Sequence, residues 1–197
     1  MTPPQRPKDL RVEKTIAAIH ATFKAMLLAQ PFATITVTAL CERARINKKT
    51  FYRYYPTIDY LLRELQEEYT SSYLQRIAGL RFPEDAEVIT REFLTYCVEQ
   101  DELYEKITCA GPHDAIREEM IRTVNAGSAE TLAAPSRIPE DQWNLYLAFA
   151  GNVALSLYQQ WVRDGKQTPA DVLIDTGCAI VAAGTRAFLE EAGESLN

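Results

Sequence analysis

The segment from Thr36 to Tyr55 constrains the fold of this chain more than any other stretch. Thr36 is a favourable N-cap, and Val37, Leu40, Cys41 and Ala44 follow at i, i+3, i+4 and i+7, which predicts a short helix with a narrow apolar stripe. Ala44 is small enough for two helices to cross closely. Arg45, Ile46 and Asn47 interrupt the pattern, Asn47 is a second N-cap, and a further helix is predicted from Lys48 to about Tyr54. The unit is helix, tight turn, helix.

The second of these helices has two unlike faces. With Phe51 as the buried centre and about 100° per residue, Tyr55, Tyr54 and Lys48 fall on the inner side. Lys49 and Arg53 fall opposite, flanked by Thr50 and Tyr52. The outward surface thus carries positive charge and hydroxyl donors but no carboxylate. Such a surface suits the major groove, where Lys and Arg reach guanine O6 and N7 and hydroxyls hold phosphates. Lys48 and Lys49 also oppose the dipole at the start of their own helix, a cost that points to a role outside folding. Upstream, Ile16, Ile19, Phe23, Met26 and Leu27 predict an amphipathic helix over about Val12–Ala29, stopped by Pro31.

Charge is distributed to match. Residues 1–55 hold ten Lys/Arg against three Asp/Glu, a net +7, which leaves −13 for the remainder of a chain whose total is −6. A basic head on an acidic body fits a protein with one polyanion-binding end. The four cysteines, Cys41, Cys97, Cys109 and Cys178, form no CxxC pair and read as small buried hydrophobes. Cys97, Cys109 and His113 match no common metal spacing. No nucleophile elbow, phosphate loop or dinucleotide fingerprint occurs, and His20 and His113 fall in different predicted domains, so no catalytic residue, cofactor or metal is expected. No secretory signal is visible. The stretch judged most apolar, Leu145–Leu157, is interrupted by Asn152 and Ser156 and is too short to span a bilayer, so a cytoplasmic protein with no membrane partner is expected.

The body reads as helix throughout. Helices are predicted over Ile58–Ala78 (Leu61, Leu62, Leu65, Tyr69, Tyr73 and Ile77 inward), Glu84–Glu99 (Val88, Phe93, Tyr96 and Cys97), Glu102–Cys109, Asp114–Leu132, Glu140–Arg163 and Pro169–Glu191. In the penultimate helix Trp143, Leu147, Ala150, Ala154, Leu157 and Trp161 form one stripe, with Leu145, Phe149, Val153 and Tyr158 beside it. The last helix carries Val172, Leu173, Ala179, Ile180, Ala183, Ala187 and Phe188, with small Gly177, Ala182 and Gly184. Helices apolar over so much of their girth must be covered on more than one side.

The order Ile35-Thr36-Val37, Ala44, Asn47, Thr50-Phe51-Tyr52-Arg53-Tyr54-Tyr55, then Leu61-Leu62, resembles the TetR family of tetracycline-repressor-like regulators, over about Thr15–Leu65. The resemblance implies that Thr36, Thr50, Tyr52 and Tyr54 hold phosphates and that Lys48 and Lys49 contact bases or phosphates. Arg53 is added from its outward direction. With Thr38, Arg45 and Asn47 these complete the expected DNA-binding set. The resemblance also implies a two-fold four-helix bundle made by the last two helices of two copies. It further implies a small-molecule pocket in the body, for which Tyr96, Tyr104, Met120, Trp143, Tyr146, Phe149 and Asn152 are the candidates. Aromatic walls with few polar groups suit an apolar or aromatic effector.

Two departures stand out. Arg45 occupies the turn where the family usually has Gly, and a left-handed backbone there would cost of order 1 kcal/mol. Asp59 follows Thr57 where the family's fourth helix usually begins with a DNA-contacting Lys. The expectation is therefore an all-α protein: a three-helix helix-turn-helix DNA-binding domain over residues 1–55 and a larger ligand-binding and dimerisation domain over 56–197. Its expected role is a repressor released from a double-stranded DNA operator by a small molecule. The alternative is a co-regulator of the same fold without an operator of its own, to which the missing Lys on the fourth helix points.

Overall fold

The computed structural model of the chain describes residues 10–109 and 138–192. Met120, His113 and the expected helix Asp114–Leu132 lie outside the described residues. Those described are helical with connecting turns and contain no strand. The helices are α1 (Leu10–Ala29), α2 (Val37–Ala44), α3 (Lys48–Tyr54), α4 (Ile58–Arg76), α5 (Ala86–Glu99), α6 (Glu102–Thr108), α7 (Glu140–Arg163) and α8 (Ala170–Glu191), with a 3-10 turn at Phe32–Thr34. The all-α class read from the sequence is the class observed.

The chain forms two compact units, residues 1–67 and 68–197. The division falls inside α4, later than the Tyr55 boundary of the sequence reading. A physical reason is at hand: Glu64 of α4 bonds to Tyr55 and His20, which ties the start of that helix to α1 and the end of α3.

In the first unit the core is Ile19, Phe23, Met26 and Leu27 of α1, Leu40 and Cys41 of α2, and Phe51 and Tyr55, all buried. Six of these eight are aromatic or branched aliphatic side chains, each contributing roughly 1.5–3 kcal/mol on full burial. The caps are as expected: Thr36 Oγ1 accepts from the Ala39 amide at 3.2 Å, and Asn47 Oδ1 accepts from the Thr50 amide at 2.7 Å.

In the second unit α5 and α7 both pack on α8 and on each other. A close approach is made at Gly177 of α8, where a Cβ would collide with the Leu94 side chain. Leu94 is fully buried, whereas Val88, expected inward, is 46% exposed. Six residues separate the two, which puts them about 120° apart around a 3.6-residue helix, and α5 turns its Leu94 side to Gly177 of α8.

On α7 the buried line runs Trp143, Tyr146, Ala150, Ala154, Tyr158, not through Leu147, Leu157 and Trp161, which are half-buried. The face is turned towards the tyrosines because their hydroxyl ends and rings find partners. Tyr146 bonds to Thr185 of α8 and stacks on Phe188, with ring centroids 4.5 Å apart and planes 7° apart.

The most apolar long helix is α8 and not the Leu145–Leu157 stretch. Its mean hydropathy of 1.5 and its 22 residues are enough, by length and composition alone, to cross a bilayer. Here it packs with Leu173, Gly177, Cys178, Val181, Thr185 and Leu189 inward, and Asp175 of its outer side pairs with Arg91 of α5 at 3.0 Å.

Candidate nucleic-acid interface

The turn between α2 and α3 is a Schellman motif built on an arginine. Arg45 has φ 55° and ψ 42°, in the left-handed region. The Ile46 amide donates to Cys41 O at 3.0 Å and the Arg45 amide to Glu42 O at 3.3 Å, the two bonds that define the motif. Glycine is the usual occupant because it lacks the Cβ that meets the carbonyl in this conformation. The expected departure from the family pattern is thus a real backbone strain.

Beyond the turn, α3 buries Phe51 completely and Tyr55 nearly so, with ring centroids 5.8 Å apart. Its other side is open. Lys48, Lys49, Tyr52 and Arg53 are exposed, Thr50 and Tyr54 half-buried, and Tyr52 leans its ring edgewise on Phe51. Lys48, which a simple helical wheel put on the inner side, is exposed because the first residue of the helix has no preceding turn to lie against. Thr36, Thr38, Arg45 and Asn47 are exposed as well, so all ten expected DNA-binding residues reach solvent on the helix-turn-helix segment.

Electrostatics sharpen the picture. Among the described residues, none of Arg45, Lys48, Lys49 and Arg53 has a carboxylate within ion-pairing distance. In the second unit, Arg76 meets Glu99, Arg91 meets Asp175, and Lys166 meets Glu105. Four unneutralised cations over nine consecutive positions, with no acid among those positions, make an anion-accepting surface. Two hydroxyl groups are less free than the sequence implies. Thr50 Oγ1 donates to Asn47 Oδ1 at 2.9 Å, so its proton is committed, while Thr36 accepts a capping bond and keeps its own proton to donate. Tyr52 and Tyr54 have no such commitment among the described residues.

The expected pocket residues separate into three places within the second unit. Tyr96 and Tyr104 lie in a cluster with Tyr69, Tyr73 and Tyr158, where Tyr96 donates to the Tyr69 carbonyl at 2.6 Å and the Tyr104 hydroxyl lies 3.4 Å from Cys97 Sγ. Burial pushes the Cys97 thiol up to about 12, with the Tyr104 contact opposing. Burial is likewise the main cause that raises Tyr96 and Tyr146, each to about 12. Trp143 and Tyr146 belong to a second cluster with Phe82 and Phe188. Phe82 escaped the sequence reading because it sits between helices and belongs to no periodic stripe. Phe149 and Asn152 point the other way, into an open concavity on the outer side of α7 that Ala148, Val153, Ser156 and Leu157 also line. Beside it, on α8, Val172, Ala179, Ile180, Ala183 and Ala187 are exposed.

The sequence reading also missed a polar cluster in the first unit, formed by His20, Tyr55 and Glu64. Its one sequence signal was a lone histidine on α1 beside the buried stripe.

Comparison with known proteins places the fold. No protein-family model and no curated protein matches the chain. Among solved structures, the crystal structure of a TetR transcriptional regulator from Streptococcus agalactiae 2603V superposes with a TM-score of 0.66 at 18% identity, over 88% of this chain and 96% of that one. The chain has the fold of that regulator.

Proposed function

We propose that the chain is a homodimeric, ligand-responsive transcriptional repressor that reads double-stranded DNA with α3. The observation that carries the reading is the surface formed by Arg45, Lys48, Lys49 and Arg53: exposed, unpaired and free of acids, on a helix-turn-helix whose fold is shared with a transcriptional regulator. In this reading Lys49 and Arg53 enter the major groove, Lys48 and Arg45 meet phosphates, and Tyr52 and Tyr54 anchor the backbone through their hydroxyls. Thr38 and Thr36 border the same groove. Asn47 holds Thr50 in the unbound state, and a phosphate would compete with it for the Thr50 hydroxyl.

Residues 1–55 supply the reading head, and residues 56–197 supply dimerisation and effector binding. Two copies pair through the outer faces of α7 and α8, where Leu145 is 75% exposed, Val172 48%, Phe149 45% and Ile180 41%. So many large apolar side chains on two adjacent helices form a patch of the kind that marks an association surface. The effector is an apolar or aromatic small molecule recognised among the tyrosine clusters of the second unit. Its binding shifts α4 and with it the spacing of two reading heads that must match half-sites about 34 Å apart. With no catalytic constellation among the described residues and an acidic outer surface, a soluble cytoplasmic regulator is the reading that fits best.

The test is a gel shift with DNA fragments from around the chain's own gene, and in parallel a selection from a random duplex library. A retained, salt-sensitive complex with a recovered sequence is expected. Failure of both, with folded dimeric protein, would leave the co-regulator reading in possession of the field.

A further inference from the structure

Three polar atoms from three different elements meet in the first unit. His20 Nε2, on α1, is 2.7 Å from the Tyr55 hydroxyl and 3.0 Å from Glu64 Oε2, and the Tyr55 hydroxyl donates to the same Glu64 oxygen at 3.1 Å. Counting protons fixes the arrangement. The carboxylate only accepts, and the single phenolic proton goes to it, so both contacts of Nε2 require that Nε2 carries a proton. A neutral ring protonated on Nδ1 would instead turn the Nε2 lone pair towards the carboxylate at 3.0 Å. The cluster therefore holds either the Nε2–H tautomer or the imidazolium.

Each member is tied to an element that matters. The Tyr55 amide closes the end of α3 on Phe51 O, and its ring is 5% exposed against Phe51. Burial, and next the neighbouring Glu64, raise the Tyr55 hydroxyl far above its ordinary range, so it remains a donor at any working pH. Glu64 lies in the second turn of α4. The side chains of His20 and Glu64 are 37% and 49% exposed, so the pair is open to protons from solvent.

We infer that His20, Tyr55 and Glu64 form a joint that positions α3 against α4, and that a proton on His20 tightens it. The inference rests on the DNA-binding reading of α3. The charged and titratable groups around the imidazole are Tyr55 from the end of α3 and Glu64 from α4, with Tyr60 and Glu67 one turn to either side of Glu64. Lys24 is one turn along α1, and α2, which also packs on α1, carries the exposed Glu42 and Arg43. Tyr55 and Glu64 are the groups that contact the ring, at 2.7 Å and 3.0 Å. A charged imidazole adds attraction to a carboxylate that the neutral ring lacks. These three are positioning residues and do not touch DNA.

The experiment uses the full chain, a duplex recovered by selection and a random duplex, with affinities measured from pH 8.5 to pH 6.0. The preference for the selected duplex is expected to rise about two- to fivefold on acidification, the range of a solvent-exposed ion pair. The chain has two histidines, so the response must be assigned between them. His20→Gln and Glu64→Gln are expected to flatten the profile, while His113→Gln keeps it. A profile unchanged in His20→Gln, or abolished in His113→Gln, overturns the inference. Nitrogen-15 spectra of the histidine rings, recorded without DNA at pH 8.5, provide a separate check. A neutral His20 protonated on Nε2 is expected, and one protonated on Nδ1 overturns the joint whatever the DNA result. If no duplex is recovered at all, the DNA-binding reading fails, while the ring spectra still decide the geometry.

Discussion

Replacing Arg45 with glycine should strengthen the fold and weaken DNA binding at once. Arg45 holds φ 55° and ψ 42°, where a residue with a Cβ is disfavoured by roughly 1–2 kcal/mol. Glycine relieves that strain but loses more backbone entropy on folding, about 0.5–1 kcal/mol. The difference leaves a net gain of up to about 1 kcal/mol, or roughly 2–4 °C in the melting temperature of a chain of this size. The Schellman hydrogen bonds run through backbone atoms alone and survive the change. The charge does not survive. If the guanidinium neutralises a phosphate, its loss lowers the slope of log affinity against log salt by about one, and weakens selected and random DNA alike.

The assay pairs urea unfolding with a salt series of DNA affinities for Arg45→Gly, Arg45→Ala and the parent. Alanine keeps the Cβ and the strain but removes the charge, so it should match glycine in DNA binding and lack its gain in stability. Loss of stability in Arg45→Gly would refute the strain argument. A stability gain with an unchanged salt slope would refute the phosphate contact and leave the strain without a functional reason.

Further outcomes follow from the same structure. Lys49→Ala and Arg53→Ala should each cost about 1–3 kcal/mol of affinity for a selected duplex and narrow its advantage over random DNA, if the side chain meets a base; equal losses on both duplexes would move it to the phosphates. Tyr52→Phe should weaken both duplexes equally and leave the salt slope unchanged, because a neutral donor releases no counterion. Ala183→Asp, on the exposed side of α8, should convert a dimer to monomer in sedimentation, and a monomeric parent chain at micromolar concentration would defeat the dimer proposal. Gly177→Ala should destabilise by roughly 1–3 kcal/mol in urea, since the fully buried Leu94 has nowhere to retreat. Alkylation at pH 8 should modify the half-exposed Cys109 before Cys97, whose thiol is held up to about 12 and is scarcely ionised there; mass spectrometry of brief labelling reads the order.

What could be read from sequence follows the physical range of each signal. Caps and periodic stripes act within one or two turns, and they located α2, α3 and both termini of α7 to the residue. Which side of a long apolar helix faces its own chain is decided by partners far away in sequence. On α8 the intrachain side is Leu173, Gly177, Val181 and Leu189, and no local pattern separates it from Val172, Ile180 and Ala183, because both stripes are apolar. Leu94 shows the same dependence, since its inward direction is set by Gly177, 83 positions later.

The polar contacts were hidden for a related reason. A capping bond such as Asn47 to Thr50 spans three residues and is visible in the sequence, but Tyr55, Glu64 and His20 converge across 44 positions. The helical wheel did correctly turn Tyr55 inward, and a buried tyrosine needs a partner for its hydroxyl. That requirement is itself a sequence-level clue. The end of α3 demands an acceptor from whatever packs on it, and Glu64, near the start of the next helix, is the nearest carboxylate placed to meet the demand. The residue that closes α3 is thereby hydrogen-bonded to the helix that follows it, so Tyr55 ties the helix bearing Lys49 and Arg53 to Glu64 of α4.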